Sequence, residues 1–401
     1  MAIKFHNTLT GLLEEFKSIK SGKVGMYHCG PTVYNYAHIG NLRSYIFADI
    51  LRRVCEYDGN KVTQIINITD IGHLTSDADT GDDKMVKGLK RENLPLSLDG
   101  LKDLANKYEK AFKDDLNTLN IKKPHHFPRA TEYLEQEIEL IQELEKKDFT
   151  YKTEDGIYFD TSKLSDYGKL GGLTPKEEGV ARVGVVEKKN PRDFVLWKLS
   201  KNSHLGFESP WGHGFPGWHI ECSTMSRELL GQPFDIHTGG MDHIPIHHNN
   251  EIAQSEAAYG VSLANFWLHN EFVNIAEGKM AKSDDNFITL QTLVNKGFSP
   301  LAYRYLLLMA HYRTPVNFSL EALEAAQNAY NKLQKFVSNL SGKGKINKEY
   351  QGKFKEKLEN DLNTPQALAV VWGLVKDSEV SPEDKRITLL DFDQVLGLSL
   401  K

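Results

Sequence analysis

The sequence of 401 residues predicts an α/β fold: a Rossmann-type core with a parallel sheet, split by an insertion and followed by a C-terminal α-helical bundle. Residues 24–27 (VGMY) read as a short buried strand, followed by apolar residues at helical spacing and then by the β-branched run 62–69 (VTQIINIT). Strand, helix and strand in this order indicate a parallel βαβ unit. Because a chain this long exceeds what one hydrophobic core usually fills, we expect two or three domains.

Further along the chain, the patterns predict an insertion and then a return to the core. Residues 98–147 read as an amphipathic surface helix, and residues 150–210 as an irregular segment with Gly and Pro. A second α/β portion contains FDIHTGG after a strand and HHNNEIAQSEAAY on a helix. The expected boundaries are 1–117 for the first half of the core, 118–211 for the connective insertion, 212–264 for the second half, 265–322 for a region with a lysine-rich loop, and 323–401 for the helical bundle.

Composition argues against a membrane protein and for a reduced compartment. Hydrophobic residues make up 40% of the chain, and no apolar run reaches the roughly 18–20 residues that span a bilayer. The N-terminal residues lack the pattern of a secretory signal, and the odd number of three cysteines argues against a disulfide framework. We therefore expect a cytoplasmic protein. Since the formal net charge is −5, any nucleic acid must meet a local basic surface.

The loop 31–41 ends in the sequence HIGN and opens a helix, where the helix dipole favours anions. Gly40 would let an adenine or a phosphate approach the backbone, and His38 and Asn41 offer donors to phosphoryl oxygens. A triphosphate can therefore sit there. The alternative is a plain strand-to-helix turn with a capping Asn and an exposed His.

Residues 279–283 (KMAKS) form a polar segment with two lysines three positions apart. Lys279 and Lys282 are compact point charges of the kind that bind phosphate, so they can clamp a departing pyrophosphate. The alternative is a solvated charged loop.

Four further residues are metal-ligand types. His247 and Glu251 are four apart in a helical stretch and so lie on one face, as two ligands of one ion require. Cys29 and Cys222 add two sulfur ligands, and this mixed set suits zinc and not magnesium or calcium. The alternatives are that Cys222 is a small core residue and that the histidines begin a polar helix. Cys55 is expected in the core.

Segments 38–41 (HIGN) and 279–283 (KMAKS) are together similar to the two signatures of class I aminoacyl-tRNA synthetases, written HIGH and KMSKS. Asn41 replaces the second histidine, and Ala281 replaces the first serine. The stretches CGPTVYNYAHIG, NITD, SPWGHGFPGWHIECSTM and HTGGMDHIPIHHNNEIAQSEA resemble cysteinyl-tRNA synthetase in particular. The resemblance covers nearly the whole chain, although many members of that family continue with an anticodon-binding tail beyond the position of Lys401.

The resemblance implies that the protein activates cysteine with ATP and transfers it to the terminal adenosine of tRNA(Cys), acting as a monomer. It implies one zinc ion that binds the substrate thiolate, and Mg²⁺ with ATP. The implied metal ligands are Cys29, Cys222, His247 and Glu251. The implied catalytic residues are His38, Asn41, Lys279 and Lys282, which also bind ATP with Gly40 and Ser283. The implied residues of the amino-acid pocket are Thr69, Trp218, His237 and Asp242.

The resemblance also makes residues 265–322 the region that contacts the tRNA stem. Basic and aromatic residues near and beyond it can meet the tRNA backbone: Arg304, Tyr305, Lys332 and Lys335. Two alternatives stay open from the sequence. One is a shorter relative that ligates cysteine to an amino sugar, as in mycothiol synthesis. The other is a catalytically inactive paralogue, with Asn41 and Ala281 as early signs of decay.

Overall fold

A computed structural model describes residues 2–71, 84–172, 188–200, 205–275 and 288–401. The strands of these ranges are β1 (Lys4–Asn7), β2 (Leu12–Glu15), β3 (Lys23–His28), β4 (Lys61–Ile66), β5 (Thr150–Lys152), β6 (Gly156–Phe159), β7 (Phe194–Leu199), β8 (Gly214–Pro216), β9 (Phe234–Gly240), β10 (Ala264–Asn270), β11 (Val273–Ile275) and β12 (Val316–Phe318). Among the described residues, no helix is long and apolar enough to cross a membrane.

The helices of the same ranges are α1 (Ile39–Tyr57), α2 (Lys84–Arg91), α3 (Leu98–Thr118), α4 (Leu134–Lys146), α5 (Trp218–Leu230), α6 (Asn249–Tyr259), α7 (Leu290–Asn295), α8 (Pro300–Leu308), α9 (Leu320–Ser338), α10 (Lys348–Glu359), α11 (Thr364–Lys376) and α12 (Pro382–Leu396). A π-helical turn, Ile244–His248, leads into α6.

The core is a parallel sheet with the strand order β10-β9-β3-β4. The predicted βαβ unit is confirmed as β3, α1 and β4, because β3 and β4 pair in parallel and α1 connects them. FDIHTGG is itself the strand β9, whereas we predicted it to follow one. The chain passes from β3 to β4 on one side, and β9 lies on the other side of β3. The order of the strands therefore reverses between β3 and β9, and in such sheets ligands bind at the carboxyl ends beside this point.

The segment between the two halves of the core is more regular than the sequence predicted. Residues 98–147 are not one helix: α3 and α4 are separated by a segment that runs beside β4, with bridges from Ile65 to His126 and from Ile68 to Arg129. The expectation of an irregular segment after residue 150 is wrong, since β5, β6, β7 and β8 form an antiparallel sheet. This sheet continues past residue 211, to Pro216. The predicted domain boundaries stay a prediction.

The C-terminal part is helical, as predicted, and α9, α10, α11 and α12 share apolar packing with the core. The stretch KFKEKLENDLNTPQALAVVWGLV contains the end of α10, a break and most of α11. The break comes at Asp361 and Leu362, which both have positive φ, of 58° and 55°.

A buried carboxylate in α1 joins the core to this C-terminal part. Oδ2 of Asp49 lies 2.6 Å from Nη2 of Arg304 and 2.8 Å from Nε of Arg53. Arg304 also donates to the carbonyl of Leu396 in α12, and Arg53 donates to that of Asn120 after α3. Burial opposes the charge of Asp49, but the two guanidinium groups hold the pKa of its carboxyl below the ordinary value.

The prediction that Arg304 and Tyr305 contact tRNA is wrong. Their side chains are 0% and 2% exposed, so the guanidinium group of Arg304 and the ring of Tyr305 lie in the interior. Lys332 and Lys335 are exposed on α9, and their contact with tRNA stays a prediction. Cys55 is fully buried in the core, as predicted.

We expect Asp49→Ala to lower the free energy of unfolding by about 3–5 kcal/mol, because it leaves two buried guanidinium groups without their carboxylate. Urea unfolding followed by tryptophan fluorescence measures the loss. The control is Asp114→Ala, which breaks an exposed ion pair with Lys110 and should cost less than about 1 kcal/mol. Equal losses for the two variants would contradict the role assigned to Asp49.

Candidate metal centre and nucleotide site

Four buried side chains with metal-ligand atoms converge beside the reversal point of the sheet. They are Cys29, Cys222, His247 and Glu251, and their ligand atoms all lie within 4.8 Å of one another. Sγ of Cys29 lies 3.9 Å from Sγ of Cys222 and 3.7 Å from Oε1 of Glu251. The same Oε1 lies 3.1 Å from Nε2 of His247. The structure thus brings together all four residues that the sequence analysis named as candidate ligands.

The four residues come from four different elements of the chain. Cys29 directly follows β3, and its N–H donates to the carbonyl of Thr238 in β9. Cys222 lies in the first half of α5. His247 lies in the π-helical turn and Glu251 in the first turn of α6. Since π-helical turns are concentrated at functional sites, the local structure is consistent with a built ligand site.

The geometry and the chemistry of the four donors fit a soft divalent metal ion. Tetrahedral ligands with metal–sulfur bonds of about 2.3 Å have sulfur atoms about 3.8 Å apart, close to the 3.9 Å between Cys29 and Cys222. Burial raises the pKa of both thiols above the ordinary value. A bound cation reverses this effect, because it stabilises the thiolate form.

Further histidines surround this centre, and the sequence analysis missed three of them: His219, His248 and His269. Nε2 of His248 lies 3.3 Å from Sγ of Cys29, and its Nδ1 lies 2.7 Å from Nε2 of His269. Cys29, Glu251, His248 and His237 also form a set whose ligand atoms fall within 4.8 Å. Burial lowers the pKa of His248 and His269, so both rings are neutral. For His248 the available signal was density, since four of the 15 histidines fall in residues 237–248.

The four predicted pocket residues differ in their surroundings. The ring of Trp218 lies 4.4 Å from the ring of His247, between centroids, so it flanks the metal centre. Asp242 follows β9 and has a side chain that is 60% exposed. Thr69 and His237 are instead buried behind carboxylates: Oγ1 of Thr69 lies 2.6 Å from Oε2 of Glu221, and Nε2 of His237 lies 2.7 Å from Oε2 of Glu251.

Residues 38–41 form the N-terminus of α1, as the sequence predicted. The backbone N–H of Asn41 donates to Nδ1 of His38 at 3.1 Å, and the N–H of His38 donates to Oδ1 of Asn41 at 3.1 Å. This is a reciprocal capping box. A Cβ atom at Gly40 would lie 2.9 Å from Cε1 of His38, so glycine lets the imidazole close over the first turn. Burial lowers the pKa of His38, against a smaller opposing effect of Asp242.

Lys279, Lys282 and Ser283 lie outside the described residues. The first described residue after them is Ile288, whose carbonyl accepts the N–H of Ile39 at 2.8 Å. The chain therefore leaves that segment directly beside the HIGN turn.

Two family models match the chain. Residues 15–328 match the model described as tRNA synthetases class I (C) catalytic domain, and residues 353–401 match the DALR domain. A methionyl-tRNA synthetase from Mycobacterium tuberculosis, solved with methionyl-adenylate, aligns with a TM-score of 0.64 at 16% identity, over 94% of this chain and 90% of that one. Together, these matches define the fold as that of a class I aminoacyl-tRNA synthetase with a C-terminal helical DALR domain.

Comparison with curated relatives identifies the family within the class I synthetases. The chain is 46% identical to cysteine–tRNA ligase 1 of Burkholderia lata, over 100% of this chain and 85% of the relative. It is 43% identical to the cysteine–tRNA ligase of Treponema denticola, over 100% and 87%. The chain belongs to the cysteine–tRNA ligase family.

The purified protein is expected to carry about one tightly bound soft divalent metal ion per chain. Cys222→Ser should weaken metal binding more than about 100-fold, because loss of a direct ligand costs more than loss of an outer partner, which is worth about 10–100-fold. Metal analysis by mass spectrometry, combined with titration against a chromogenic chelator, gives both quantities. Cys55→Ala is the control, since Cys55 lies in the core away from the cluster. Unchanged affinity in Cys222→Ser would remove Cys222 from the ligand set.

Proposed function

We propose that this protein ligates cysteine to tRNA(Cys) in two steps, through a cysteinyl-adenylate. In the first step, a carboxylate oxygen of cysteine attacks the α-phosphorus of ATP, and the bond to pyrophosphate breaks. In the second step, a terminal hydroxyl of the tRNA attacks the carbonyl carbon, and AMP leaves. The observation that supports this best is the buried set of two Cys, one His and one Glu, in a chain of this family.

The amino-acid pocket is built around the metal centre. Cys29, Cys222, His247 and Glu251 would hold a zinc ion, which when bound supplies a soft Lewis acid for the thiol of cysteine. Trp218 forms the wall that excludes water above His247, and Asp242 is placed to pair with the ammonium or the ribose. Thr69 and His237 act on this pocket from behind, through Glu221 and Glu251.

Selection of cysteine follows from this donor set. A pocket that relies on shape separates a thiol from a hydroxyl poorly, whereas translation needs about 10⁴-fold discrimination. Two protein thiolates and an imidazole create a site for soft ligands, and the hydroxyl of serine is a hard ligand with a high pKa. No separate editing site is then required.

The nucleotide part of the reaction uses the first turn of α1. His38 and Asn41 hold the phosphates at the positive end of the helix dipole, and Gly40 allows close approach. Lys279, Lys282 and Ser283 act on the departing pyrophosphate, with Mg²⁺ accompanying ATP. Catalysis is by positioning and charge stabilisation, and no protein nucleophile takes part.

The remaining assignments concern the setting of the reaction. The protein acts as a monomer in the cytoplasm. The tRNA acceptor stem meets residues 265–322, and the exposed Lys332 and Lys335 contact its backbone by neutralising phosphates.

The zinc-loaded protein is expected to charge tRNA with labelled cysteine and to catalyse cysteine-dependent exchange between ATP and pyrophosphate, but to do neither with serine at the same concentration. Lys279→Ala and Lys282→Ala should each lower the exchange rate about 100-fold, because each removes a charge that stabilises the transition state. Lys296→Ala, at an exposed position, is the control. Exchange without charging would contradict the transfer to tRNA.

Asn41→Ala is expected to lower the free energy of unfolding by about 0.5–1.5 kcal/mol, through loss of the capping-box bond in which Oδ1 of Asn41 accepts the N–H of His38, and to raise the KM for ATP several-fold. Steady-state pyrophosphate exchange and urea unfolding measure the two effects. Asn347→Ala is a matched control, because Asn347 caps α10, with its Oδ1 3.1 Å from the N–H of Tyr350. It should cost similar stability at an unchanged KM for ATP. Equal KM values in both variants would place Asn41 outside the ATP site.

A further inference from the structure

A buried pair of histidines lies at the edge of the metal centre. Nδ1 of His219 lies 2.8 Å from Nδ1 of His247. The two residues are 1% and 2% exposed. The edge of the His219 ring also packs on Phe194 of β7, with ring centroids 5.6 Å apart at 84°. The position of His219 is therefore set both by the antiparallel sheet and by the first turn of α5.

The proton in this contact is constrained by the chemistry of imidazole. Two ring nitrogens 2.8 Å apart share one proton, so one ring donates and the other accepts. His247 presents Nε2 to the cluster, where it lies 3.1 Å from Oε1 of Glu251. A histidine that binds a metal through Nε2 carries its proton on Nδ1. In the metal-bound state, Nδ1–H of His247 must then donate to Nδ1 of His219.

We infer that His219 is a positioning residue for the metal centre: its Nδ1 accepts the Nδ1 proton of His247 and thereby fixes the tautomer and the ring orientation that leave Nε2 free for the metal. This inference rests on the proposed function, since it assigns a role to the outer sphere of the same site.

Glu251, the other candidate ligand that is not sulfur, is held by a different buried histidine. Glu251 is oriented separately, because its Oε2 lies 2.7 Å from Nε2 of His237 while its Oε1 faces Cys29 and His247. Each of the two ligands that are not sulfur thus has its own buried histidine behind it. Partners of this kind typically contribute about 10–100-fold to metal affinity.

The test compares His219→Phe with His219→Asn in the full-length protein. Phe keeps a planar ring against Phe194 but has no nitrogen, whereas Asn keeps a polar atom near the position of Nδ1. The first readout is the Kd for zinc alone, from competition with a chromogenic chelator. The second is the visible spectrum of the protein loaded with Co²⁺, which reports ligand geometry. His311→Phe is the control, because His311 bonds to the carbonyl of Asp361 away from the cluster.

His219→Phe is expected to raise the Kd for zinc about 10–100-fold and to change the Co²⁺ spectrum, while His219→Asn recovers most of the affinity and the native spectrum. Native affinity and spectrum in His219→Phe would overturn the inference, as would equal losses in the two variants, which indicate packing alone. If the unmodified protein binds no zinc, the metal part of the proposed function fails. If the unmodified protein and His219→Phe bind equally well, only the role of His219 fails.

Discussion

The carboxylate of Asp49 is the interaction on which the arrangement of the parts depends. It lies midway along α1, between the guanidinium groups of Arg53 and Arg304, with all three side chains removed from water. Those cations in turn satisfy carbonyls at the end of α3 and at the end of α12. A buried ion pair has a desolvation cost that only good geometry and further hydrogen bonds offset, and here both are present. The core and the DALR domain therefore meet on one defined surface of α1.

In the candidate metal centre, the deciding factor is the effect of burial on the charge of the donor groups. Donors such as Cys29 and Cys222 sit in the interior, where their thiols have a raised pKa, and the neighbouring His28 has a pKa lowered by burial to about 3. Burial thus disfavours the charged forms of these two thiols and of the His28 ring. Because an isolated buried charge is costly, this environment would favour a divalent cation, whose charge offsets most of the negative charge of two thiolates and a carboxylate. Cys29 and Cys222 thus lie in an environment where a bound cation would make their thiolate forms favourable.

Local patterns predicted those parts of the fold that depend on local contacts. The unit of β3, α1 and β4 was found because its periodicity lies within about 45 residues of sequence. The antiparallel sheet was missed because its strands are short and pair across long distances, as Gly156 does with Lys198. The break between α3 and α4 was missed because Asn120, with a φ of 54°, and the tertiary bridges along β4 override helical periodicity.

Part of the candidate site could be predicted from the spacing of residues in the sequence, and part could not. Spacing placed His247 and Glu251 on one helical face, but Cys29 and Cys222 are 193 positions apart, so only their residue type, and then the resemblance, joined them to that pair. The surrounding histidines carry no spacing signal of their own, since His219 and His269 belong to different elements. The packing of α5 on the sheet and the pairing of β10 with β9 bring them to the cluster.

The two signature segments are also related through α1, although they are far apart in sequence. Ile39, in the first turn, donates its N–H to Ile288, which follows the lysine-rich segment. Arg43, one turn later, donates to the carbonyl of Phe272 before that segment, and to those of Tyr312 and Thr314 at 3.1 and 2.6 Å. Burial lowers the pKa of Arg43 to about 10, so its guanidinium is charged at neutral pH and these bonds are charge-assisted. The helix that presents His38 thus fixes the chain on both sides of Lys279 and Lys282, and a shift of its first turn must move both approaches to the lysines together.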